Sequence, residues 1–205
     1  MSCSRKNQPL SLPPLLLALL LLLSAAWCHA GDAVQTPAPL RIGVHPYLPA
    51  LFVKQRFMPL VEYLSRLLER PVVLSVSPDY RSHIQRIAAG ELDLAYMGPA
   101  SYVKLVEEFG AFPLIARQLV LGEPVFNGVL ITRADANIGS VEELRGRTFA
   151  FGDASSTMSH LLPRYVLLQA GIGLDDLGGY EFVGNHQAVA LAVLRGDFDA
   201  GAVKQ

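Results

Sequence analysis

The chain has 205 residues, 51% of them hydrophobic, with 17 Lys and Arg against 18 Asp and Glu and a formal net charge of −1. That balance supplies no basic stripe to displace counterions from nucleic acid, so no nucleic-acid partner is expected. Both cysteines, Cys3 and Cys28, fall in the first thirty residues, which leaves the rest with neither a disulfide framework nor a thiolate metal site.

In chain order, Arg5 and Lys6 precede an apolar run, LLLALLLLLSAAW, and then Cys28-His29-Ala30. This is the pattern of a secretory signal peptide over residues 1–30, cut after Ala30, and the run is too short for the roughly 20 residues of a membrane span. Lipidation at Cys28 fits less well, because Ala25 and Trp27 stand where the lipoprotein pattern wants leucine and a small residue. A periplasmic location follows. Removal of Arg5 and Lys6 leaves 15 basic against 18 acidic residues, a net charge of −3.

Residues 31–39 are a small-residue and proline leader without period, and ordered structure is expected from Leu40. A strand at Leu40 to Val44 leads into a loop, HPYLP, that Pro46 and Pro49 hold away from helix. Apolar residues at Phe57, Leu60, Val61, Leu64, Leu67 and Leu68 share one helical face, and Pro59 predicts that this helix starts near Phe57. There follow a strand at PVVLSV, a helix at SHIQRIAAG, a strand at LDLAYM and a helix from Pro99 to Glu108. FPLIARQLVL and FNGVLITRAD read as two strands with no full helix between them, which marks a change of lobe. Ser140 and Glu143 suggest a capping box. A strand TFAFG, a helix from Ser159 to Ala170, a strand YEFVG, a helix from His186 to Arg195 and a strand DAGAV complete the chain.

Short apolar strands alternating with helices define an α/β protein with mostly parallel sheets, divided into a first lobe at 40–122 and a second at 123–205. In such sheets ligands sit beyond the carboxyl ends of the strands. The loops at 45–50, 97–102, 152–160 and 184–188 are therefore the candidate site.

The richest of these is FGDASSTMSH, which places Ser155, Ser156, Thr157, Ser159 and His160 at a helix entrance. A helix N-terminus offers unpaired N–H groups and partial positive charge, and hydroxyls can donate to the same oxyanion without any lysine or arginine. The plainer reading is an N-cap, worth about 1 kcal/mol, but a cap uses one hydroxyl. A Ser156 nucleophile with His160 as base lacks the Gly-x-Ser-x-Gly elbow of α/β hydrolases. A second loop, YMGPASY, contributes Tyr96, Gly98 for close backbone approach, and Ser101 in the first turn after Pro99. Core packing is the simpler role for Tyr102. His45, His83, His160 and His186 have no zinc-ligand spacing, no phosphate-binding glycine loop occurs, and Asp199 reads as a strand entry. Neither a metal nor a cofactor is expected.

Three stretches, PLVEYLSRLLERPVVLSVSPDYRSHIQRIAAGELDLAYMGPASYV, FAFGDASSTMSHLLPRYVL and HQAVALAVLRGDFDAGAV, resemble the phosphate, phosphite and phosphonate-binding proteins of ABC importers, the PhnD-like family. The resemblance covers residues 40–205. It implies a type II periplasmic-binding fold whose two lobes close on a ligand, no catalysis, and an inner-membrane permease as partner. On this sequence the ligand contacts would come from Tyr47, Tyr96, Gly98 and Ser101 in the first lobe. The second would supply Ser155, Ser156, Thr157, Ser159, His160 and His186.

Two departures bear on the ligand. The family's Ser-Thr-Ser-Gly becomes Ser156-Thr157-Met158-Ser159, and Gln187 stands where relatives suited to aminophosphonates carry an acid. An ammonium in a cleft needs a carboxylate to offset its desolvation, so phosphate, phosphite or a phosphonate without an amine is the expectation. The resemblance further implies elements beyond Gln205 that return to the first lobe. A sensor module with the same cleft is the second reading, and an anion-handling enzyme the third.

Overall fold

The computed structural model describes residues 37–120 and 122–205, so the expected signal peptide and most of the expected leader lie outside the described residues. Residues 38–205 form one unit built on two sheets. The first holds β1 (Leu40–Val44), β2 (Val72–Val76) and β3 (Leu94–Tyr96) in the order β2-β1-β3, all parallel. Three helices connect and follow them: α1 (Ala50–Leu67), α2 (Tyr80–Ala88) and α3 (Pro99–Phe109). The second sheet has the order β4-β7-β5-β6, from β4 (Gly128–Thr132), β5 (Thr148–Phe151), β6 (Gly179–Phe182) and β7 (Ala200–Lys204). Only β4 runs antiparallel, against β7. Helices α4 (Leu162–Gln169) and α5 (His186–Arg195) belong to this half.

The centre of the second sheet explains why TFAF reads as a continuous apolar run. Successive strand side chains point to opposite faces. Phe149 and Phe151 pack with Leu144, Leu167, Ile172 and Leu177 on one face, while Ala150 meets Val189 and Ala192 of α5 on the other. Both faces are buried, so neither needs polar residues. In the first sheet Ile42, Val44, Val53, Ile84 and Leu105 are buried.

Four expectations are corrected. Helix α1 starts at Ala50, not near Phe57, and carries Pro59 in its interior. Pro59 frees the carbonyl of Gln55, which is exposed to water, so the missing hydrogen bond leaves nothing buried and unpaired. FPLIARQLVL forms no strand among its described residues. It makes one isolated bridge, Val120 to Glu123, with Leu114 73% and Ile115 76% exposed and no sheet edge to pair with. The Ser140 capping box is replaced by a tighter contact in which Glu143 accepts the Gly139 N–H at 2.6 Å, ahead of a single 3₁₀ turn at Glu142–Leu144. The helix expected from Ser159 begins as a π-type turn, Thr157–Leu161, that runs directly into α4.

Candidate functional site

The carboxyl ends of β1, β3, β5 and β7 converge on a cavity of about 40 Å³. Its first-lobe wall is aromatic. His45 stacks on Tyr80 at 4.4 Å, Tyr47 and Tyr96 stand edge-on to His45 at 5.6 Å, and all four rings line the cavity. The second-lobe wall consists of Ser156, Thr157, Met158, His186 and Lys204, with Phe126 between the two sheets.

Hydrogen bonds from behind the wall decide what these groups offer. The Thr157 hydroxyl accepts the Ala100 N–H, at the start of α3, at 3.0 Å. The Ser156 hydroxyl accepts both the Ser159 N–H at 3.3 Å and the Ser159 O–H at 2.9 Å. The Thr157 hydroxyl thus has its acceptor side engaged and its own proton available to an acceptor in the cavity, whereas the Ser156 hydroxyl also has the Tyr80 phenol as a hydrogen-bonding neighbour. The histidines follow the same rule. His45 Nδ1 accepts the Gly98 N–H at 3.3 Å and His186 Nδ1 accepts the Lys204 N–H at 3.3 Å, which leaves the ring proton of each neutral imidazole on Nε2. Burial pushes His45 down to about 3, aided by the nearby His83, His186 and Lys204, and pushes His186 down to about 4, aided by Lys204. Both are neutral donors at pH 7.

Lys204 is the cation that lines the cavity, its Nζ held 4.4 Å over the Phe126 ring. Burial, with Arg56 nearby, lowers its pKa. Tyr96 is held from both ends. Its hydroxyl donates to Gln118 Oε1 at 2.6 Å, and its carbonyl accepts from His83 Nε2 at 3.1 Å. His83 is tied in turn to Ser77, which accepts from Arg86 at 3.0 Å. Burial raises the Tyr96 phenol to about 12, so it stays protonated. Among the lining residues there are donors and aromatic faces and no carboxylate.

Of the ten residues singled out in the sequence, six line the cavity: Tyr47, Tyr96, Gly98, Ser156, Thr157 and His186. Ser101, Ser155, Ser159 and His160 do not. Ser101 donates to the Ser155 carbonyl at 3.3 Å, and Lys104 donates to the Ser155 hydroxyl at 3.0 Å, so these serines fasten α3 to the hydroxyl loop. Ser159 backs Ser156 and fits only because residue 152 is glycine, since any side chain there would collide with its hydroxyl. The Nδ1 of His160 lies 2.8 Å from the Ala154 carbonyl, and its ring stands edge-on to Phe182 at 4.7 Å. It braces the loop.

Sequence reasoning missed His45 and Tyr80 as lining residues, and Lys204 altogether. Lys204 adds a cation to the donors expected from the hydroxyl loop. Its signal was available: it sits at the carboxyl end of a parallel strand, where α/β sheets place their ligands.

Two sheets whose strand ends and helix starts face one cavity define a type II periplasmic-binding protein. The chain belongs to the family described as the periplasmic substrate-binding protein of the phosphonate ABC transporter, whose model matches residues 42–205. It is 26% identical over 197 residues to the phosphate-import protein PhnD of Mycolicibacterium smegmatis, covering 87% of this chain and 61% of that protein. To the probable ABC transporter phosphite binding protein PhnD1 of Prochlorococcus marinus it is 27% identical, covering 86% of this chain and 61% of the relative. The structure of that Prochlorococcus protein in complex with methylphosphonate superposes with a TM-score of 0.74, over 82% of this chain and 64% of that one. The chain thus spans about three fifths of the length of the relatives it matches.

Proposed function

We propose that the protein captures a phosphorus oxyanion in the cavity between its two sheets and delivers it to an ABC importer in the inner membrane, without catalysis. The observation that carries the reading is the orientation of Thr157 and Ser156. Both hydroxyls accept from groups behind them and line the cavity, Thr157 with its own proton unengaged. Two neutral histidines, Tyr47 and the Lys204 ammonium line the same space. A donor-rich, carboxylate-free pocket favours an oxyanion with at least three oxygens and no ammonium group. This supports phosphate, phosphite and alkylphosphonates over aminophosphonates. The names of the curated relatives, a phosphate importer and a phosphite-binding protein, agree with that class and lend no support to the sensor reading.

Binding contacts in this reading come from both lobes, so ligand favours the closed arrangement by its differential affinity. Thermal melting with phosphate, phosphite, methylphosphonate and 2-aminoethylphosphonate tests it. A ligand at about a hundred times its Kd adds about 2.7 kcal/mol, which raises Tm by roughly 5 to 10 °C. The expected result is a rise with one or more of the first three and none with the amine. No rise with any of them contradicts the reading.

A further inference from the structure

Beside the oxyanion cavity lies a second, wider hollow of about 490 Å³, lined by Leu48, Phe52, Gln55, Arg56 and Gln187. The two spaces adjoin through consecutive residues, since Tyr47 and His186 line the first while Leu48 and Gln187 line the second. The Arg56 charge is felt by Tyr96 and by Lys204, both in the wall of the first cavity. The first cavity is the smaller of the two, about 40 Å³, and the second hollow lies where a group attached to the phosphorus could extend.

We propose that the second hollow is a subsite for the organic substituent of a phosphonate, and that Arg56 selects substituents ending in a carboxylate. Arg56 has no ion-pair or hydrogen-bond partner among the described residues, whereas Arg41, Arg81, Arg86, Arg133 and Arg145 each hold a carboxylate. A guanidinium presents a planar fork that matches a carboxylate with two parallel hydrogen bonds. Gln187 adds an amide that can donate to the same group, and Leu48 and Phe52 supply an apolar floor for one or two methylenes. An ammonium would meet Arg56 with like charge and find no acid among the lining residues.

This inference rests on the oxyanion reading, and the test separates the two. Titration calorimetry on the chain would compare methylphosphonate, phosphonoacetate and 3-phosphonopropionate. At least one carboxylated ligand is expected to bind about fivefold tighter than methylphosphonate, the gain of a partly solvated ion pair. Arg56→Gln should abolish that advantage and leave methylphosphonate within about twofold of the parent, while Arg56→Lys should restore part of it. Methylphosphonate binding without a carboxylate advantage, or an advantage that survives Arg56→Gln, overturns the subsite and leaves the oxyanion reading standing. Failure of all three to bind overturns the subsite, and failure of phosphate and phosphite as well overturns the oxyanion reading with it.

Discussion

The two sheets are built on different principles. The second is packed from both faces around Phe149 and Phe151, in two apolar clusters. The first buries fewer apolar side chains and, like the second, buries polar groups as well, Ser77, His45 and His83 among them. It also leads into the exposed apolar segment that holds Leu114, Ile115, Leu119 and Val125. The dense sheet carries the hydroxyl loop, while the other holds aromatic rings through a hydrogen-bonded chain from Arg86 to Tyr96. Stability and recognition are therefore divided unequally between the halves.

The largest expected effect breaks the dense half. Phe151→Ala should cost about 3 to 5 kcal/mol in urea unfolding, the range for emptying a buried aromatic site. A loss below about 1 kcal/mol would mean that the second sheet is not the tightly packed half.

Acid should act through the histidines that burial holds below their usual range, two in each half. His45, His83 and His186 take up protons in the fold at about 3, 4 and 4. Unfolded histidine does so near 6.5, about 1.4 kcal/mol per pH unit of difference for each ring. The unfolded state therefore binds more protons below about pH 6.5, and stability should fall as pH drops from there towards 4. His83→Gln should flatten that slope in urea midpoints measured between pH 7 and 5. An unchanged slope would show that His83 is not kept neutral.

A smaller effect sharpens the contact between the halves. Thr157→Ala leaves the Ala100 N–H at the start of α3 without its partner and should cost about 1 kcal/mol. Thr157→Ser should recover most of that in the same unfolding assay. The smallest effect belongs to the exposed segment, where Ile115→Thr should move stability by no more than about 0.5 kcal/mol.

The difference between the halves also explains what could be read in advance. The strands β5 and β7 and helix α5 were legible because burial on both faces imposes a continuous apolar pattern, and His186 to Arg195 emerged with the bounds expected. FPLIARQLVL has the same apolar composition and forms no such strand, because composition does not supply a neighbouring edge. Pro59 misplaced the start of α1, since a local rule about proline cannot see that the freed Gln55 carbonyl faces water. In the site, residue type identified Ser156 and Thr157. It could not separate them from Ser155 and Ser159, whose hydroxyls face other partners for reasons of backbone direction alone. His45 looked isolated in sequence because its partners Tyr80, Gly98 and Tyr96 come from later loops.

The central claim is that an oxyanion binds in the cavity walled by the hydroxyl loop and the start of α3. The most direct measurement follows the backbone amide resonances of Gly98, Ala100 and Thr157 while methylphosphonate is added. Saturable shifts at all three, with little change at Ile172 and Leu177 in the core behind the second sheet, are expected. Saturation of the protein with no change at those amides, or shifts scattered over the surface without saturation, would contradict the account.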